Sequence, residues 1–336
     1  MTFAGGTTVP TSLVNTMTGD FLLGSVPEQG ATLNVTNATL TLDGWMSLGH
    51  QTGAAATTAT FTRSALNAGN FRMGYGDVDN SGTHTLTLNN SAVSITGQTL
   101  VGNIGPSVAN VTVGGSSSFR SGGAFNIGNS SGTQGTVTVS GTGTLTAVGP
   151  LRVGDGGTGQ LTATDTARLV VDQVQIGNQL LGAGTLTMQS GSSMTASGYI
   201  AVGNSGTGTL AMNGTAAMSV QYDFNVGDLG GSNGTFTMAD EATVTAGSFF
   251  AAKGDASVAS VTVTGGTFTQ TGADGSFIVG RDGAATLTLG GAGRMVAAST
   301  EGMVLGATEF SQSAVVNLDG GVLEVARVTK GAGANT

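Results

Sequence analysis

Several groups of residues in this 336-residue chain have the types and spacing to do chemistry. Asp77, Asp79 and Ser81, followed by Gly82, match the first half of a calcium loop, Asp-x-Asp-x-Ser-Gly. The twelfth position of that pattern falls on Leu88, so the bidentate glutamate is missing and a solvated turn explains the same residues. Calcium at Asp77, Asp79 and Ser81 is the one cofactor the chain suggests. Asn103, Asn129, Asp155, Asn178, Asn204, Asp228 and Asp255 each follow a recurring glycine directly. Such a column could hold sugar or cations, but Asn and Asp are also ordinary corner residues, able to adopt left-handed backbone and bond the turn.

A third group is a threonine ladder: Thr60, Thr87, Thr112, Thr138, Thr162, Thr187, Thr237, Thr262 and Thr288. Thr58, Thr85, Thr136, Thr185, Thr235 and Thr286 stand two residues earlier. On strands, the two columns would make a grid of hydroxyls and methyls spaced about 6.7 Å by about 4.8 Å, a candidate face for ice or glycans. The second column breaks at Asn110, Gln160, Ser260 and Val315, and Thr is a good outward strand residue without any ligand. Catalysis has less to stand on. His50 and His84 read as loop residues with no Ser or Asp at a repeated offset, and Asp240-Glu241 has no basic neighbour in sequence. A polysaccharide-active enzyme is therefore the remote alternative, and the chain reads as non-catalytic.

The elements that position these residues come from a repeat. An apolar-x-apolar-Gly marker recurs as FLLG at Gly24, MSLG at Gly49, FRMG at Gly74, TLVG at Gly102, FNIG at Gly128 and LRVG at Gly154. It continues as VQIG at Gly177, IAVG at Gly203, FNVG at Gly227, FIVG at Gly280 and MVLG at Gly306, with a damaged FAAKG at Gly254 and a poor VTKG at Gly331. Between markers the apolar residues alternate with a period of two, as at Val137/Val139, Leu145/Ala147 and Leu151/Val153. Three short strands of four or five residues per unit are expected, and no helix. A unit this small cannot bury its own apolar face, so neighbours must stack into a parallel β-solenoid of about 12–13 coils with three strands each.

The expected inward columns include Leu23, Leu48, Met73 and Val101 before the glycine, and Phe21, Phe71, Phe125, Phe224 and Phe277 two residues earlier. A first-strand column runs through Leu33, Phe61, Leu86 and Val111. At Gly254, Phe250 and Ala252 fit inward only if Lys253 is an extra, bulged residue. One elongated domain over 1–336 is expected: an irregular start at 1–20, regular coils over 21–306, and a degenerate, incomplete last coil over 307–336. An open last coil is a sheet edge that invites end-to-end self-association.

Composition narrows the function. Gly is 59 of 336 residues but Pro only 4, which is not collagen, and a mean hydropathy of +0.19 argues against disorder. Ten Lys and Arg against 19 acids, net −9, leave no basic patch for nucleic acid. Two His and no Cys remove most zinc and thiol chemistry. No apolar run is long enough to span a bilayer, and MTFAGGTTVP shows no signal peptide.

Units such as GTVTVSGTGTLTAVGPLRVGDGGTGQLTA and GTLTMQSGSSMTASGYIAVGNSGTGTLAM resemble the repeats of bacterial type V secretion (autotransporter) passengers, also described as PEP-CTERM-associated repeats. The resemblance covers about Gly24 to Gly306, and VVNLDGGVLEVARVTKGAG resembles the last repeats of such passengers. It implies a right-handed β-helix, secreted and displayed at the outer membrane of a Gram-negative cell. The role implied is a rigid extracellular stalk serving adhesion or surface assembly, with host or neighbouring-cell surface glycans or proteins as partners.

Overall fold

The computed structural model describes residues 2, 3, 5–9, 14–26, 28–50, 53, 55–76 and 80–333, with side chains from residue 17 onward. These residues form a parallel β-solenoid without a helix. One turn illustrates how sequence becomes structure. Gln134–Val139 is a long strand, Thr144–Ala147 a middle strand and Leu151–Val153 a short one, and in each the buried positions alternate with more accessible ones. Six, four and three residues are thus the working lengths, against the four or five expected. The difference arises because the short strand ends at the marker glycine, whose left-handed backbone (Gly154, φ 69°) turns the chain at once.

The chain divides into two compact units, Met1–Val170 and Val171–Thr336. In the first, the long strand Thr57–Thr62 pairs in parallel with Ala31–Thr36 on one side and Thr83–Asn89 on the other. The series continues through Val108–Gly114, Gln134–Val139 and Thr158–Ala163. Register corrects one expected column. Phe61 lies opposite Val35 and Leu88, while Ala59 stands between Leu33 and Leu86. The alternation of TTATFT puts both Ala59 and Phe61 inside, so periodicity alone left a two-residue slip undetected. Phe71, Phe119 and Phe125 are fully buried, with Phe119 edge-on to both at 5.7 and 5.3 Å. Each such side chain contributes roughly 1.5–3 kcal/mol of burial.

The second unit repeats the scheme through the long strands Ala183–Met188, Thr207–Met212, Asn233–Met238, Val258–Val263, Ala284–Gly290 and Ser313–Asp319. Its core holds a cluster of Phe224, Phe236, Phe249, Phe268 and Phe277, with the 224–236 ring centroids 4.9 Å apart and the 249–277 centroids 5.0 Å apart. The Phe column is therefore internal, as its register required. Here too a reading is corrected. Phe249 and Ala251 occupy the inward positions opposite Phe224 and Val226, and Ala252, at φ 52°, takes the marker glycine's place. Lys253 is a regular residue of the corner rather than a bulge, and Phe250 faces outward under its ammonium group at 5.1 Å. The irregularity lies one turn earlier, where the register shifts between Val220 and Asp223. The strands Ser313–Asp319, Val322–Glu324 and Val328–Lys330 each continue the parallel register of the turn before.

Candidate functional site

Asp77 and Asp79 of the expected calcium loop lie outside the described residues. Ser81 is exposed and Leu88 is fully buried, so the twelfth position of the pattern is a core residue. Among the described residues no three His, Cys, Asp or Glu come together in a way that could hold a metal. The threonines are in register within each unit: Thr60, Thr87, Thr112, Thr138 and Thr162 in the first. In the second, Thr187, Ala211, Thr237, Thr262 and Thr288 form the column. The second column also contains Thr32 and Thr209, which sequence reading overlooked, and its gaps fall at Asn110 and Gln160 in one unit and at Ser260 and Val315 in the other.

The Asn/Asp column turns inward on itself. Asn103, Asp155, Asn204 and Asp228 are buried, and Asn129 and Asn178 half-buried. Asn129 Nδ2 donates to Asn103 Oδ1 (3.1 Å), Asn126 Nδ2 donates to Asn129 Oδ1 (2.9 Å) and to Asp155 Oδ2 (3.1 Å), and Asn204 Nδ2 donates to Asn178 Oδ1 (2.8 Å). Asn129 and Asn204 thus bond the equivalent residue one turn away, and Asn126 ties Asn129 to Asp155, which is corner chemistry. Asp255 is exposed and outside the column; Lys253 has its place. The Lys253 Nζ lies 3.2 Å from Asp228 and 3.5 Å from Asp223. Burial pushes the Asp228 carboxyl up from its ordinary range, and the Lys253 charge opposes that shift. Asp223 and Asp228 are thus both engaged by a lysine of their own chain.

Both histidines belong to strands, not loops: His50 ends Trp45–His50 and His84 lies in Thr83–Asn89. His84 is fully buried and neither ring nitrogen has a partner among the described residues, so burial lowers its pKa to about 4. It occupies an inner column that elsewhere is small: Ala109, Gly135 and Gly159 in its own unit. Nothing in the two-residue alternation distinguishes an inward histidine from an inward alanine. On the strand Asn70–Tyr75, Arg72 is stacked over Trp45 (4.7 Å) and Tyr75 (3.6 Å), with its Nε donating to Ser47 Oγ (2.7 Å). His50 sits 5.2 Å from Tyr75, its pKa lowered by burial and by Arg72.

A concavity lies at the corner between the long and middle strands of Met1–Val170. Ser64, Ser91 and Ser117 are buried there, one per turn. Ser64 Oγ accepts from the Ala38 N–H (3.2 Å), Ser91 Oγ from the Ser64 N–H and Ser117 Oγ from the Ser91 N–H (3.1 Å each). Each hydroxyl also donates to a carbonyl of its own turn, at Thr62, Asn89 and Gly114. This serine column fixes the corner, and three exposed residues there have left-handed backbone: Asn37 (φ 52°) before Ala38, Arg63 (48°) before Ser64 and Asn90 (52°) before Ser91. Outside them runs a groove of about 610 Å³. Its rim is Asn37, Arg63, Asn90 and Ser116; its floor is Thr39, Ala65, Ala92 and Ser118, the first outward residues of four successive middle strands.

Sequence reading missed this site. Its signal was the recurrence of Ser64, Ser91 and Ser117 at intervals of 27 and 26 residues, each directly before a strand. No protein-family model matches the chain, and neither a curated protein nor a solved structure matches it.

Proposed function

We propose that this chain is a non-catalytic spacer of a secreted surface protein, a β-helical stalk segment that serves adhesion or surface assembly. The observation that carries this reading is the parallel register of each unit, continuous from turn to turn but for the shift between Val220 and Asp223, with mostly small or polar outward positions on long strands such as Gln134–Val139 and Ala183–Met188. Such a structure gains stability turn by turn from nearest-neighbour contacts, which suits a part whose work is to hold something at a distance. The resemblance of its repeats to type V passengers supports export and display at the outer membrane. The internal pairing of the Asn/Asp column and of Asp228 with Lys253 agrees with a framework role for those residues.

Deletion of one whole turn, residues 178–203, tests this reading. The cut runs from just after one marker glycine to the next, so the remaining turns can re-pair in register. Expressed in its natural host, the shortened protein should still reach the surface and still support cell adhesion. Loss of adhesion with display and folding intact would overturn the spacer reading.

A further inference from the structure

We propose that the groove beside the serine column of Met1–Val170 binds an acidic glycan, with Arg63 taking a sugar carboxylate and Asn37 and Asn90 the neighbouring hydroxyls. The rim presents donors. Arg63 Nε is committed to Asn37 Oδ1 at 3.0 Å, which holds the guanidinium in place and leaves its two terminal amino groups without a partner among the described residues. Asn37 Oδ1 is used by that same bond, and Asn90 Oδ1 accepts from both the N–H and the hydroxyl of Ser116, each at 3.1 Å. What remains open on both asparagines is the donating amide nitrogen. A planar, pre-oriented guanidinium flanked by amide donors is matched by a carboxylate flanked by hydroxyls.

Charge points the same way. The chain carries a net charge of −9, yet no Asp or Glu lines this groove, and no carboxylate lies within ion-pair distance of Arg63 among the described residues. A second, smaller concavity lies along the same middle strands, lined by Thr41, Asp43, Asn67 and Thr96. Hydroxyls of the next sugar fit there, while Asp43 confines the carboxylate to the Arg63 end.

The floor favours a glycan over an acidic peptide. Ala65–Ala68 is paired on both sides, with Thr39–Leu42 and with Ala92–Ile95, so its backbone offers no free edge for strand addition. Thr39, Ala65, Ala92 and Ser118 make a bed of methyls and hydroxyls. A sugar polymer brings its own donors and acceptors on every ring and can lie flat on such a bed.

This goes beyond the spacer role and fails separately from it, since the groove lies outside the turn removed above. The test is calorimetric titration of the full chain with three uronate oligomers (oligogalacturonate, alginate and hyaluronan), with methyl-esterified oligogalacturonate, and with hexaglutamate. At least one uronate oligomer should bind, and Arg63→Gln, an exposed change, should weaken it about tenfold. Asn90→Gly, which keeps the left-handed corner, should weaken it less. Arg168→Gln, an exposed arginine outside the groove, should leave it unchanged. Absence of binding to all three uronates at about 1 mM would overturn the proposal, as would equal losses in the two arginine variants. Hexaglutamate binding as tightly as the best uronate would overturn the assignment to a glycan.

Discussion

The two units share a fold and differ in how they handle polar groups. Met1–Val170 holds five arginines and seven acids, net −2; Val171–Thr336 holds five basic residues and twelve acids, net −7. Among the described residues, the ion pairs all lie in the second unit: Lys253 with Asp223 and Asp228, Arg281 with Asp282, Arg294 with Glu324, and Arg327 with Glu301. The first unit instead stacks Arg72 on rings, holds Arg63 and Arg152 by amides, and buries His84. Its inner small-residue column is interrupted by Thr57 and His84, whereas the matching column of the second unit runs Gly184, Gly208, Gly234, Ala259, Ala285 and Ala314 without a break. A solenoid tolerates local chemistry of either kind because each turn need satisfy only its neighbours.

One methyl group added at the marker glycine should affect the two units very differently. At Gly49, φ is +70° and a Cβ would run into the His84 imidazole. The second unit already carries that methyl at Ala252, at φ 52° and fully buried. Gly49→Ala should destabilise by roughly 3 kcal/mol or more, combining the left-handed backbone cost with overpacking against His84. Ala252→Gly should be neutral or stabilising by about 1 kcal/mol, since only the backbone cost is relieved. Urea denaturation followed by tryptophan fluorescence reads the first, because Trp45 lies in the adjacent strand residues, and far-ultraviolet circular dichroism reads both. Similar losses in the two variants would show that the corners are alike after all.

Acid should separate the units next. His84 is neutral when folded, with a pKa of about 4, against about 6.5 when unfolded. Between these values the unfolded chain binds the extra proton, so stability is full above about pH 6.5 and falls towards pH 4, by about 3 kcal/mol in all. His50 shifts in the same direction. Asp228 in the second unit has the opposite sign: its raised carboxyl favours the folded state as pH falls. Hydrogen exchange at pH 7 and pH 4, corrected for intrinsic rates, should show protection lost around residues 83–95 and kept around 223–238. His84→Ala, matching Ala109 one turn on, should flatten the dependence in the first region. An unchanged slope in that variant would remove His84 from the account.

How much of this was legible depends on what each residue shares with its repeats. The marker column reads directly, because Leu23, Leu48, Met73 and Val101 vary in size but never in polarity. Phe61 slipped by two places because Ala59 and Phe61 are both acceptable inside, and only pairing with Val35 and Leu88 decides between them. Lys253 was misplaced for a related reason. Expecting glycine at the corner hid the fact that Ala252 adopts the same left-handed backbone without one. The groove was invisible at the level of period two, since it depends on hydroxyl-to-backbone bonds between turns and on which corner residues keep an unused donor. Ser64 looks like any turn serine until the Ser91 hydroxyl is found on its N–H.

That serine column provides the smallest and most local contrast. In the second unit the residue before the middle strand is in turn Ser192, Ala216, Ala242, Gly266, Gly293 and Gly321, and the Ser192 hydroxyl has no partner among the described residues. In the first unit Ser91 both caps the Ser64 N–H and donates to the Asn89 carbonyl. Ser91→Ala strands a buried N–H and should cost about 1–2 kcal/mol, whereas Ser192→Ala removes an unpaired buried hydroxyl and should be neutral or slightly stabilising. Thermal denaturation of the two variants checks the sign of the difference. The same Ser91→Ala protein should also lose groove definition, because Arg63 directly precedes the serine whose N–H is released. A stability loss without any change in uronate binding would mean that Arg63 is held by Asn37 alone, and a loss of both would tie the corner's internal bonding to its ligand.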